Sequence, residues 1–457
     1  MSLCAATFFV VSGGPYGLEE IIAGHGYART LGLLLIVPLV WSLPVALMVG
    51  ELGGALPQEG GYYAWVRRAL GPFWGFQQAF LMLATSLFDM AIYPTLFVTY
   101  LGRLWPEVAS TAPGQPGWWI GVSLIAVCTL WNIRGSRAVG VGATALGGLL
   151  LLPFVLLAVL ALVSLPQGGL ARAAAALSAP PPAEGSPAWV GGIILCMWNY
   201  MGWDNASTVA SEVHDPQRTY PRAMLLTVLV VAACYALPVL AASASGMPAE
   251  AWTAGSWVEA AQRLGGPPLG LLVVLGGMLC SLGMFNVLVM SYSRLPVALA
   301  EDGMLPRALA VRDPRTGAPT LAIVASAALY AACLGLGLRR LIELDVMLYG
   351  VGLVLEFVAL GVLRVREPAL PRPFRIPGGL PGVLVLSTPP ILLLGAALWT
   401  GRHEAGPFGL SALELSGLIL LGGPAGYLLY LLARLPRTRH EPPGAPPHLS
   451  DMEATRP

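Results

Sequence analysis

Apolar blocks of about membrane-spanning length follow one another along almost the whole chain, and this succession limits it to one class of structure. The hydrocarbon core of a bilayer is ~30 Å thick, so a helix that crosses it needs roughly 20 mostly apolar residues. Of the 457 residues, 56% are apolar and 11% charged. Reading the blocks between charged or Pro/Gly-rich punctuation gives twelve spans, at 2–24, 31–55, 72–102, 117–133, 138–164, 187–211, 222–245, 267–300, 319–336, 341–364, 381–399 and 410–434. The expectation is an all-α integral membrane protein of about twelve transmembrane helices, embedded in a lipid bilayer.

The basic residues orient it. The chain has no lysine, so all 25 basic residues are arginine. With the N-terminus inside, 18 of the 25 fall on cytoplasmic connections, among them Arg67, Arg68, Arg134, Arg137 and Arg364. By the positive-inside rule this predicts cytoplasmic N- and C-termini in the cell membrane. The residues from 435 onward, rich in Pro and polar side chains, read as a disordered cytoplasmic tail. The stretch from Gln58 to Arg68 reads either as a short amphipathic piece at the inner interface or as a loop with an aromatic belt. The connections 165–186 and 246–266 read as irregular outer covers.

Composition also excludes functions. A net charge of +1 gives no reason to invoke nucleic acid. The six cysteines lie in apolar segments without CxxC spacing and read as small buried hydrophobes. The five histidines fall in loops or the tail. No metal-ligand cluster and no nucleophile–base pair stands out, so no cofactor or metal is expected, and a membrane-embedded hydrolase using intramembrane carboxylates has little to recommend it. The first eleven residues lack the basic region and cleavage site of a signal peptide.

Two spans are interrupted. In the first, Val11-Ser12-Gly13-Gly14-Pro15-Tyr16-Gly17-Leu18-Glu19-Glu20 places three glycines, a proline and two carboxylates inside an apolar run. Glycine weakens a helix, proline removes an amide hydrogen, and in lipid the freed backbone groups survive only where they line a cavity or pack on protein. About ten residues precede the break, roughly 16 Å of helix or half a bilayer, which leaves room for an N-terminal extension. Span six carries a second interruption, from Trp198 to Thr208. Broken helices at corresponding places in two halves point to an inverted-repeat transporter with its site near the bilayer midplane. Spans three and eight also correspond, since Asp89 lies 17 residues after Pro72 and Asn286 lies 18 after Pro268. The implied organisation is one five-helix repeat over 1–164, a second over 187–364, and two appended helices over 381–434.

Ionisable residues inside spans are costly and usually face a cavity or the bundle interior. The candidates are Glu19, Glu20, Glu51, Asp89, Asp204 and Glu356. Asp204 reads as a functional carboxylate or as a cap on the outgoing half-helix. Glu20 and Glu51 read as structural or interfacial, and Glu356 matches no constellation. The broken helices offer two chemistries. Free amides at Gly13 and Gly14 suit a substrate carboxylate, whereas orphan carbonyls near Ser12 and Tyr200 suit an ammonium group. An amino acid would use both. A polyamine would use the carbonyls and need carboxylates such as Glu19, Asp89 and Asp204, with Tyr16, Tyr93, Tyr200, Trp203 and Tyr292 as cation–π walls. Core packing is the competing role for those aromatics, least so for Tyr16 and Trp203.

Several motifs in order then carry a resemblance. Val11-Ser12-Gly13-Gly14-Pro15-Tyr16-Gly17-Leu18-Glu19, Gly71-Pro72-Phe73-Trp74-Gly75-Phe76-Gln77-Gln78, Asp89 with Tyr93-Pro94, Asn132-Ile133-Arg134-Gly135, Trp203-Asp204 with Ser207-Thr208, Glu212-Val213 before Thr219-Tyr220-Pro221-Arg222-Ala223, and Gly303-Met304-Leu305-Pro306 resemble the plant polyamine uptake transporters. These form part of the L-type amino acid transporter branch of the amino acid-polyamine-organocation superfamily. The resemblance implies the five-plus-five inverted-repeat fold, alternating access, and proton-coupled import of polyamines or amino acids. It places the substrate site at Ser12, Gly13, Gly14, Tyr16 and Glu19, at Asp89, and at Trp203 and Asp204, to which the residue reading adds Tyr200 and Asn286. Glu19, Asp89 and Asp204 are the proton-coupling candidates. One departure matters: where the plant transporters carry an acidic residue in helix eight, this chain has Asn286, which weakens the case for a long polycation and leaves a shorter diamine or a neutral amino acid open. A nutrient-sensing receptor on a transporter scaffold is a remoter alternative. Sodium ligation by Ser281, Ser291 and Ser293 also stays open, whereas a lysine in the sodium position is ruled out.

Overall fold

The computed structural model describes residues 7–8, 11–58, 60–135, 151–181, 188–205, 207, 216–400 and 409–434. Arg137, the first half of the fifth expected span, Thr208, Glu212-Val213 and the tail lie outside the described residues.

Among the described residues every regular element is helical, and eight helices are long and apolar enough to cross a membrane. The first is α1 (Glu19–Val37), which continues through a π-helical turn (Pro38–Ser42) into α2 (Leu43–Ala55). This continuous 37-residue run is too long for one crossing, and it leaves helical geometry at Gly26 (φ 70°, ψ 171°). Residues before Gly26 therefore complete the first span, and those after it form the second. Of the two readings of Gln58 to Arg68, the structure has the short helix, α3 (Gly61–Leu70), with Tyr62, Tyr63, Trp65 and Val66 buried and Arg67 and Arg68 turned outward. Then come α4 (Pro72–Leu101), α5 (Pro116–Ile133), α6 (Leu151–Gln167) and α7 (Gly169–Ser178), the last two meeting at a bend of 103°.

The second half begins with α8 (Ala188–Asn199), followed by α9 (Pro216–Ser243), α10 (Trp257–Tyr292), α11 (Arg294–Glu301), α12 (Thr320–Cys333) and α13 (Leu338–Arg366). The chain closes with α14 (Gly379–Thr400) and α15 (Ala412–Arg434). The connections expected to be irregular are corrected here. Residues 169–178 are α7, and most of 246–266 is a short 3-10 turn (Ala249–Ala251) and the first part of α10, which breaks at Gly266 (φ 73°, ψ −174°) before Pro267-Pro268. In the second connection Trp252, Trp257, Val258, Ala260 and Ala261 are buried in the bundle, whereas in α7 Ala173, Ala176 and Leu177 pack partly against it and Leu170 is exposed.

The hub is α4, which packs against α13 and α10 and also touches α3, α5, α12 and α15. The first-break helix α1 packs on α8 and α9. Leu130, Leu162, Leu229, Val385, Leu421 and Leu429 point outward and are exposed. An apolar exterior of this kind is stable against lipid rather than water, so the chain is a multi-pass membrane protein.

Candidate functional site

The helix before the first break ends at Ser12, whose amide donates to the Phe8 carbonyl at 2.7 Å. Gly14 (φ 82°) and Gly17 (φ 98°) then take left-handed backbone that a side chain would strain. A Cβ on Gly17 would also sit 2.8 Å from the Trp198 ring, so the break is pressed against the end of α8. Three of its amides, those of Gly14, Gly17 and Leu18, are used within the chain. The Gly14 amide donates to Ser12 Oγ at 3.2 Å and the Gly17 amide to Glu19 Oε2 at 2.7 Å. The Pro15 carbonyl accepts from Trp257 Nε1 at 2.9 Å, and the Gly13 carbonyl accepts from the Cys280 thiol.

Glu19 is buried in the first turn of α1, where the helix dipole favours a carboxylate. Its other oxygen accepts from the Gly255 amide at 3.1 Å and from the Tyr100 hydroxyl. It thus ties the broken segment to α4 and to the outer cover. Gly276 and Gly277 in α10 make room for this packing: a Cβ would stand 2.3 Å from the Tyr16 hydroxyl at the first and 2.6 Å from the Tyr100 ring at the second.

The second break starts where α8 ends at Asn199, and Gly202 (φ 88°) turns the chain. Its aromatics also serve the fold. Tyr200 donates to the Leu34 carbonyl at 2.8 Å, Trp203 Nε1 to the Tyr200 carbonyl at 2.8 Å, and Tyr235 to the Asn199 carbonyl at 2.8 Å. Asp204 is fully buried. Its Oδ1 accepts from the Tyr349 hydroxyl at 2.5 Å, while Oδ2 has no hydrogen-bond partner among the described residues.

Between the breaks, α4, α10 and α13 enclose a narrow cavity lined by Gly13, Gly14, Tyr16, Asp89, Tyr93, Trp198, Tyr292, Asp345 and Tyr349, among others. The space open to the centres of water-sized spheres is about 50 Å³, room for several waters. Asp89 is held by two neutral donors, Tyr93 at 3.2 Å and Tyr292 at 2.9 Å. Neither arginine nor histidine is among its described lining residues.

Of the residues expected at the site, Gly13, Gly14, Tyr16 and Asp89 line this cavity. Ser12, Glu19, Tyr200, Trp203 and Asp204 surround it in the second layer, and Asn286 lies apart, its side-chain oxygen accepting from Asn132 Nδ2 at 2.7 Å. The sequence reading missed Asp345, which lines the cavity from α13 with its side chain buried. It lies close to Arg339, Arg340 and Glu343 in the sequence, near the start of a span, and does not stand out as an acid alone in an apolar run. Glu356, two helical turns beyond Tyr349, accepts from Gln78 Nε2 at 2.8 Å, and its second oxygen has no hydrogen-bond partner among the described residues. The α13 face thus carries Asp345, Tyr349 and Glu356 towards α4.

Polar contacts tie the bundle together away from the cavity. Just beyond the end of α4, Arg103 bonds Glu259 at 2.7 Å and Thr253 Oγ1 at 2.9 Å. At α3, the Tyr63 hydroxyl and Arg67 Nη1 both donate to Asp302 Oδ2, joining α3 to the end of α11. Burial, and then the adjacent Asp302 carboxylate, push the Tyr63 phenol well up.

The chain matches the amino acid permease family over residues 4–400. A probable polyamine transporter of Arabidopsis thaliana is 34% identical over 434 residues, 94% of this chain and 83% of that protein. A polyamine transporter of Oryza sativa subsp. japonica is 35% identical over 414 residues, covering 90% and 75%. An uncharacterized transporter of Mycobacterium tuberculosis is 28% identical over 323 residues, 69% of each.

Proposed function

Because the chain belongs to the amino acid permease family, within the amino acid-polyamine-organocation superfamily, and is a transporter rather than an enzyme, we propose that it carries cationic amines of the polyamine class across the cell membrane by alternating access. The observation that carries this reading is the charge balance of the cavity. Asp89 lines it, its donors are neutral tyrosines, and the described lining contains no arginine or histidine. A buried carboxylate without an internal cation is costly unless a cation or a proton comes to it. Of the two first-break amides that would suit an amino acid's carboxylate, that of Gly14 is used by Ser12, and the neighbouring Gly17 amide by Glu19, which favours an amine without a carboxylate.

In this reading Gly13, Gly14, Tyr16 and Asp89 meet the substrate. Ser12, Glu19, Tyr200, Trp203 and Asp204 hold the broken segments in register, and Asn286 with Asn132 fixes α10 against α5. The coupling ion is a proton, taken up at Asp89 or Asp204. The architecture has twelve crossings in two inverted five-helix repeats, with both termini cytoplasmic. Two parallel features support the repeat. A short helix with a positive-φ glycine and a proline precedes span three (Gly61–Leu70, Gly71, Pro72), and another precedes span eight (the start of α10, Gly266, Pro267). The first carries Arg67 and Arg68, as a cytoplasmic helix should, and the second would lie on the opposite face.

Uptake into proteoliposomes tests the reading. Saturable uptake of labelled putrescine or spermidine, driven by an inward proton gradient and insensitive to sodium, is expected. Uptake of leucine-like substrates with no amine transport would overturn it in favour of a neutral amino acid permease, and uptake surviving on a sodium gradient after the pH gradient is collapsed would overturn the coupling.

A further inference from the structure

The unexplained group in the cavity is Asp345. The residue is 1% exposed, it lines the same cavity as Asp89, and its Oδ1 has no hydrogen-bond partner among the described residues. The arginines just before it on α13 are engaged elsewhere. Arg339 pairs with Glu343 at 3.1 Å, and Arg340 pairs with Glu343 at 3.7 Å and donates to the Leu410 carbonyl at 2.9 Å. Helical spacing explains this. Glu343 follows Arg339 and Arg340 by four and three residues and shares their face, whereas Asp345 is one turn before Tyr349 and shares the cavity face with it.

We propose that Asp345 and Asp89 form a paired-carboxylate subsite that selects substrates with two positive charges over those with one, and disfavours any substrate bearing its own carboxylate. This rests on the amine-transport reading above and names the residue that sets its selectivity. The physical reason is electrostatic. Asp345 on α13 and Asp89 on α4 belong to helices that pack directly on each other, and neither carboxylate has an ion-pair partner among the described residues. Two like charges in a narrow, buried space oppose each other, and a neutral hydroxyl orients a carboxylate without cancelling its charge. A dication cancels both charges. A monocation leaves one, and a zwitterion adds a third carboxylate to the site. Tyr93, Trp198 and Tyr292 supply aromatic faces against which ammonium groups can rest.

The test uses the full chain in proteoliposomes, with labelled putrescine competed by unlabelled putrescine, n-butylamine and 4-aminobutyrate. These share a four-carbon body and differ in charge. In the wild type, putrescine is expected to compete at least about tenfold better than butylamine, with 4-aminobutyrate weakest. Asp345→Asn is expected to reduce the putrescine-to-butylamine ratio about tenfold, mostly through weaker putrescine binding, while Asp345→Glu keeps the ratio within about threefold of wild type. Equal competition by putrescine and butylamine in the wild type overturns the subsite without any variant, so loss of folding in Asp345→Asn leaves the proposal falsifiable. A folded Asp345→Asn with an unchanged ratio also overturns it while leaving amine transport intact. A wild type that carries leucine and no amine overturns the transport reading itself.

Discussion

Glu51, near the end of α2, and Asp89, in the middle of α4, are both buried acids inside membrane-spanning helices, yet only one of them meets arginine. Glu51 accepts from Arg364 at 2.9 and 2.5 Å, lies 3.4 Å from Arg372, and also accepts from the Ile376 amide at 2.8 Å. Asp89 meets two tyrosine hydroxyls and a cavity. A carboxylate neutralised from within the chain pins elements together: here it fixes α2 to the end of α13 and the segment before α14. A carboxylate left without an internal cation at a cavity holds its charge for something that comes and goes. In the proposed reading the first position belongs to the scaffold and the second to transport.

The contrast breaks most visibly at Arg364. Removing one partner of a buried ion pair leaves an uncompensated charge, so Arg364→Met should cost on the order of 3–5 kcal/mol and sharply lower the melting temperature in detergent. Combining it with Glu51→Gln should recover part of that loss. If Arg364→Met stays folded and loses only uptake, Glu51 belongs with Asp89 after all.

Gly17→Ala comes next. Left-handed backbone costs a non-glycine residue about 1–2 kcal/mol, and displacing the Trp198 ring adds about 1–3 kcal/mol. Near-complete loss of uptake together with reduced thermal stability is expected, and wild-type uptake would show that the close approach to Trp198 is not needed. Glu19→Gln loses charge-assisted bonds to the Gly17 and Gly255 amides and to Tyr100, a cost of about 2 kcal/mol. Because Glu19 is a tie rather than a cavity carboxylate, the expected outcome is lower stability and a slower maximal rate with KM little changed. A rise in KM for putrescine with stability intact would move Glu19 to the substrate side of the comparison.

Tyr63→Phe should have the smallest effect. It removes one of two donors to Asp302 and leaves the Arg67 pair, so a loss of about 1 kcal/mol is expected, read as increased labelling of a cysteine placed at Ala64 on the same helix. No change in labelling would show that the Tyr63 contact does not hold α3 against α11.

The sequence shows the broken helices clearly, because Gly13, Gly14, Pro15 and Gly17, and then Gly202, are backbone signals that survive without any knowledge of packing. Asp89 is legible for the same reason, as an acid alone in a long apolar helix. The partners are not legible. Arg364 lies 313 residues from Glu51 in the chain, and no periodicity predicts that they meet. Asp345 is hidden by neighbouring charges, and only the turn of α13 shows that Glu343 takes the arginines and leaves Asp345 to the cavity. Tyr200 and Trp203 look like substrate walls because aromatic rings carry no sequence mark that separates a binding face from a packing face. Their hydrogen bonds to Leu34 and Tyr200 carbonyls assign them to the fold.

The most direct test is putrescine uptake by Asp89→Asn in proteoliposomes, with melting temperature and reconstitution matched to the wild type. The amide keeps the size and the Tyr93 and Tyr292 neighbours but removes the charge, so saturable uptake is expected to fall about a hundredfold or more while the melting temperature stays the same or rises. Wild-type putrescine uptake by a stable Asp89→Asn protein would contradict the claim that the cavity holds its charge for the substrate.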